Sequence, residues 1–125
     1  MRAVIARTVI PCFLFTALVA GCSGPPAPDA AVCQDLIHRI CLAPRCPGVD
    51  TALNVGNDCE AQLLARTGCG SDEFAFGQPS RQEVLQCRVP LLRNGNAPEQ
   101  HPACRDVEEV LGTCGGLITF LKGAP

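Results

Sequence analysis

Cysteine sets the limits on what this chain can fold into. Ten cysteines fall in 125 residues that include no Trp, no Tyr and only five Phe. That cysteine density is the composition of a disulfide scaffold, and a domain this small and this poor in aromatics gains much of its stability from such bridges. The closest pair is Cys41-x4-Cys46, and no Cys-x-x-Cys occurs. Zinc sites and thioredoxin-like redox sites both favour the tighter spacing, so disulfides without metal are expected. The length allows one small domain. The chain carries ten basic and twelve acidic residues, a balance that excludes a generic nucleic-acid binder.

The cysteines do not all belong to the domain. Residues 1–22 begin with Arg2 and Arg7, continue through an apolar run over residues 9–20, and reach Cys22 behind small Ala20 and Gly21. This is the layout of a secretory signal. The run is about 12 residues, against roughly 20 for a membrane span. Pro11 also interrupts it, which disfavours a continuous helix.

Val19-Ala20-Gly21-Cys22 resembles the lipobox of bacterial lipoproteins, with Val19 where Leu is commoner. The resemblance covers the signal alone. It implies cleavage before Cys22, a thioether-linked diacylglycerol on its sulfur and acylation of its new amine. Residues 1–21 are then a removed signal, 22–29 a lipidated cysteine and Pro-rich stalk, and 30–125 a cysteine-rich helical domain. The expected location is the cell envelope, and Ser23 after the lipidated cysteine suggests the outer membrane. Removing Arg2 and Arg7 leaves eight basic against twelve acidic side chains, a net −4. Such a surface is not built to lie on anionic lipid, so the acyl chains would do the anchoring.

With Cys12 lost and Cys22 acylated, eight cysteines remain: Cys33, Cys41, Cys46, Cys59, Cys69, Cys87, Cys104 and Cys114. Export puts them in an oxidising compartment, and an even count fits four bridges.

Helical period and caps predict an all-α bundle of about four short helices. Asp29 caps the first, whose apolar face is Cys33, Leu36, Ile37, Ile40 and Cys41, and Pro44 ends it. Asn57 and Glu60 look like a capping pair for a second helix, carried by Cys59, Leu63 and Leu64 and stopped by Gly68. Ser80 and Glu83 form a capping box for a third, which Pro90 kinks or ends. The fourth should be the longest, with Pro102 in its first turn and Cys104, Val107, Leu111, Cys114, Ile118 and Leu121 on one face. Gly112, Gly115 and Gly116 weaken its far end. Residues 86–102 read as an exposed loop.

Cys59-x9-Cys69 and Cys104-x9-Cys114 are similar in spacing to twin Cys-x9-Cys helical hairpins, which pair outer with outer and inner with inner cysteines. The resemblance implies a ladder of Cys59–Cys114 and Cys69–Cys104. The remaining cysteines would pair as Cys33–Cys46 with Cys41–Cys87, or as Cys33–Cys87 with Cys41–Cys46. Pairing within one helix is excluded, because ten residues rise about 15 Å and a bridge tolerates about 7 Å. The rival topology is a first hairpin with Cys33–Cys69 and Cys41–Cys59, whose spacings of eight and ten match less well.

Little points to catalysis. The mature segment has two His, His38 and His101, and three Ser, one of them in the stalk. His38 falls opposite its helix's apolar face and His101 in a loop. The pairs Asp72-Glu73 and Glu108-Glu109 read as helix-start charges and a solvated face. Gly115-Gly116 lacks the preceding strand and following Lys of a phosphate loop. The expectation is a non-enzymatic envelope protein without cofactor, structural or binding another envelope protein. The alternative is a carrier of a lipid or small hydrophobic ligand inside the bundle. The cysteine spacings of plant lipid-transfer proteins and of saposins are both absent.

Overall fold

A computed structural model describes residues 25–42, 46, 48–93 and 101–123. Among the described residues the regular structure is all helical, with no strand. Six α-helices follow one another: α1 Asp29–Cys41, α2 Val49–Leu53, α3 Cys59–Thr67, α4 Arg81–Arg88, α5 Cys104–Thr113 and α6 Gly115–Leu121. Short 3-10 turns, Gly56–Asp58 and Val89–Leu92, precede α3 and follow α4.

The longest helix is α1, and it is the centre of the domain, packed against α3, α4 and the Val89–Leu92 turn. Its expected face is there: Cys33, Leu36, Ile37 and Ile40 are fully buried. Ala30, Val32 and Arg39 are buried as well, so the stripe is wider than the periodicity implied. Leu53 from α2, Leu63 from α3, Val84 from α4, Val107 and Val110 from α5 and Leu121 from α6 close around it. Each such aliphatic side chain contributes about 1.5–3 kcal/mol when taken fully out of water.

The local signals work where they are self-contained. Ser80 Oγ accepts the Glu83 amide at 3.2 Å and Glu83 Oε2 accepts the Ser80 amide at 2.9 Å, a complete capping box at the start of α4. Gly68 ends α3 with φ of 78°, a left-handed turn that a side chain would strain. Pro90 ends α4 by converting it to the Val89–Leu92 turn.

Four expectations need correction. Asp29 is the first residue of α1, not its cap: Pro28 holds that position, and the Asp29 carboxylate serves other residues. Asn57 and Glu60 do not cap α3, because Asn57 lies inside a 3-10 turn and Glu60 faces His38. The last helix is not continuous: it breaks at Cys114, φ −109° and ψ 57°, so that α5 and α6 pack separately. It also starts at Cys104, with Ala103 as its cap and Pro102 buried before it. Finally, residues 86–93 are not loop; Pro90 and Leu91 are buried.

The bridges follow the rival hairpin. They join Cys33–Cys69, Cys41–Cys59, Cys46–Cys104 and Cys87–Cys114, with Cα separations of 5.9, 5.6, 5.2 and 6.1 Å. The Cys59–Cys114 and Cys69–Cys104 ladder does not form. The reason lies in Gly68. From Cys59 to Thr67 α3 rises about 12 Å, the same as Cys33 to Cys41 along α1. The left-handed Gly68 then turns the chain back, so Cys69 meets Cys33 at the level where α3 ends. Spacings of eight and ten therefore match. The break at Cys114 frees that cysteine from α5 and turns it to the end of α4. In the chain-entropy account, loops of 18 to 58 residues contribute about 3–4 kcal/mol each.

Candidate functional site

The eight domain cysteines lie in four bridges and none carries a free thiol. Cys22, the expected lipid attachment, and Val19-Ala20-Gly21 before it lie outside the described residues. The sequence-read residues thus form a covalent frame, not a reaction centre, and the surface chemistry must be built from what hangs on it.

A cleft of about 700 Å³ opens at the Cys41–Cys59 end of the α1–α3 pair. Asp50, Asn57, Asp58 and Glu60 line it together with that bridge, and it is open to solvent. Asp50 Oδ1 accepts the Gly56 amide at 3.0 Å, which fixes one wall. On the adjoining face His38 Nδ1 stands 3.4 Å from Glu60 Oε2. Both side chains are well exposed, so the contact holds them loosely. The sulfurs here are locked in the bridge and no hydroxyl nucleophile lines the cleft. His101 is far from His38 in role: its Nδ1 donates to the Leu42 carbonyl at 2.8 Å, tying the approach to α5 onto the end of α1. Asp72-Glu73 does not start a helix. It sits in an exposed turn where the Ser71 hydroxyl accepts the Glu73 amide. Glu108 is exposed, and Glu109 takes both guanidinium nitrogens of Arg93, at 2.6 and 3.2 Å. Among the described residues no cluster of three His, Cys, Asp or Glu side chains is arranged to hold a metal.

Three polar clusters that periodicity does not reveal fix the helices to one another. Asp35 takes Arg39 on its own helix at 3.0 Å and Arg88 from α4 at 3.0 Å. Asp106, fully buried on α5, takes Arg93 at 3.1 Å. Glu109 and Asp106 together hold the Arg93 guanidinium above its ordinary pKa, chiefly through their hydrogen bonds. Asp29 takes Arg81 at 2.6 Å and the Phe76 amide at 2.9 Å, and these bonds hold its carboxyl below the usual carboxylate range.

The second Asp29 bond orders a short apolar cluster. Phe74 and Phe76 meet edge to face at 5.0 Å, and Phe120 from α6 closes the triangle at 6.0 and 6.1 Å. These are the three Phe that follow Cys22 in the chain. Their inner edges pack on the core and their outer edges reach the surface. Sequence reasoning misses this cluster because only the fold brings residue 120 to residues 74 and 76.

No helix among the described residues is long and apolar enough to cross a membrane. No protein-family model, curated protein or solved structure matches the chain.

Proposed function

We propose that this chain is an exported, lipid-anchored protein of the bacterial cell envelope, with a non-catalytic domain that acts by meeting another envelope protein. The observation that carries the reading is the closed pairing of the eight domain cysteines, which leaves none of them as a partner for Cys22. Four bridges suit an oxidising compartment outside the cytoplasm. Cys22, placed directly after Val19-Ala20-Gly21 and outside the four domain bridges, suits lipid attachment.

Two features support a binding role over catalysis. Four bridges tie the helices to one another, and a surface held in place before binding carries a smaller ordering cost. The cleft at the Cys41–Cys59 bridge presents carboxylates, and no free thiol or hydroxyl lines it to act as a nucleophile. The carrier alternative finds less support, since a ligand of that kind needs an apolar, mostly enclosed site and the cleft at the Cys41–Cys59 bridge is carboxylate-lined and open.

The test uses the full chain expressed with its signal in a Gram-negative host. The protein is expected in the membrane fraction, and mass spectrometry of its first mature peptide should show an acylated Cys22. Cys22→Ser should release the domain from membranes. A Cys22→Ser protein that stays in the membrane fraction, or a wild-type peptide with an unmodified Cys22, rejects the anchor. For the binding role, chemical cross-linking in intact cells should give a discrete heteromeric product. Monomer alone at all cross-linker doses would count against it.

A further inference from the structure

The aromatic triangle has a definite place relative to the expected anchor. Asp29 opens α1, and its carboxylate holds the Phe76 amide at 2.9 Å. The Phe cluster therefore lies at the end of the domain from which the chain runs back toward Cys22. Pro28 has φ −62° and ψ 155°, the polyproline conformation, and Pro25 and Pro26 stand just before it. Seven residues from Cys22 to Asp29 span at most about 25 Å. The opposite pole, at the Cys41–Cys59 bridge, is about 18 Å further along α1.

Charge tells what kind of contact this end can make. Asp29 and Arg81 neutralise each other. Asp72 and Glu73 are exposed just before Phe74, and Lys122 is exposed just after Phe120. The balance gives no attraction to anionic headgroups, so any seating on lipid must come from the three rings. Half-buried aromatics suit the interfacial layer, about 5–10 Å deep.

We propose that Phe74, Phe76 and Phe120 form the membrane-contacting face of the domain, resting in the headgroup layer of the bilayer that holds Cys22. The proposal rests on the lipid-anchor reading above. It makes the acyl chains and the rings a two-point attachment that orients the domain and turns the Cys41–Cys59 cleft away from the membrane.

The chain has neither Trp nor Tyr, so one introduced Trp reports without background. Phe74→Trp, Phe120→Trp and, at the opposite pole, Ala61→Trp are made in the full-length chain. Each protein is purified from membranes and reconstituted in phosphatidylcholine vesicles brominated at shallow acyl positions. Vesicle flotation first reports the anchor. The Phe74→Trp and Phe120→Trp emissions should be quenched by bromine at least about twofold more than that of Ala61→Trp, as interfacial depth requires. They should be correspondingly shielded from aqueous iodide. Protein that does not float overturns the anchor, and the membrane face with it. Protein that floats with equal quenching at both poles overturns the membrane face alone. Reporters shielded from bromine and iodide alike show a protein surface, or a second copy of this chain, covering the patch, and also overturn it. Should a Phe→Trp variant misfold, hydrogen exchange on the unsubstituted protein decides: residues 70–77 should gain protection on moving from detergent to vesicles. No gain there rejects the proposal.

Discussion

Asp29 and Phe76, 47 positions apart, are joined by a single hydrogen bond from the Phe76 amide to Asp29 Oδ2 at 2.9 Å. Arg81 completes the arrangement at 2.6 Å on the other oxygen. One carboxylate at the start of α1 thus positions the segment before α4 and the helix itself.

This arrangement predicts a pH dependence. The Arg81 hydrogen bond and the Phe76 amide lower the folded-state pKa of Asp29 below its ordinary 3.8. The unfolded chain therefore binds the proton more readily. The stabilisation is present above about pH 4 and is lost as pH falls through the folded-state pKa. Denaturation midpoints of wild type and Asp29→Asn should differ at about pH 7 and converge toward about pH 2. A gap that stays constant would show that Asp29 acts through something other than its charge.

Digestion without reduction, followed by mass spectrometry, should yield cross-linked peptides containing Cys33–Cys69, Cys41–Cys59, Cys46–Cys104 and Cys87–Cys114. Removing Cys46 and Cys104 together with Ala should cost about 2–5 kcal/mol. A Cys59–Cys114 peptide as the major product would contradict the fold.

Leu36 is fully buried at the centre of α1, and Val89 is more than half exposed. Leu36→Ala should destabilise by about 2–5 kcal/mol, and Val89→Ala by less than about 0.5. Urea midpoints measure both. Equal effects would mean that α1 is not the core helix.

Ser80→Ala should cost about 1 kcal/mol by removing the acceptor for the Glu83 amide, whereas Ser80→Gly should cost only a few tenths. If Ser80→Ala is as stable as the wild type, the capping bond contributes nothing.

What could be read from the sequence divides along physical lines. Ser80 with Glu83, Gly68 and the apolar face of α1 are local signals, and local geometry suffices to express them. The break at Cys114 is hidden because Val107 and Val110 before it, and Leu117 and Leu121 after it, keep a helical apolar period across two separate helices. α2 is invisible for another reason. It has five residues, too few for a period, and left-handed Gly48 and Asn54 bound it. The bridge partners depend on where Gly68 sends the chain after α3, a three-dimensional fact that spacing alone misjudged. Asp29 reads as a cap because Asp commonly is one; its partners lie about fifty residues downstream. The aromatic patch required α6 to return beside the Phe74–Phe76 segment.

The bridges also decide how the molecule bears tension. Suppose the domain is pulled between Cys33 and Cys114. The shortest covalent path crosses Cys33–Cys69, follows the backbone to Cys87 and crosses to Cys114. That path extends to about 60–75 Å, against roughly 280 Å for the same segment without bridges. Most of the backbone between those two cysteines is slack. A domain tethered at one end and gripped at the other would transmit force after a short extension, long before its helices were drawn out.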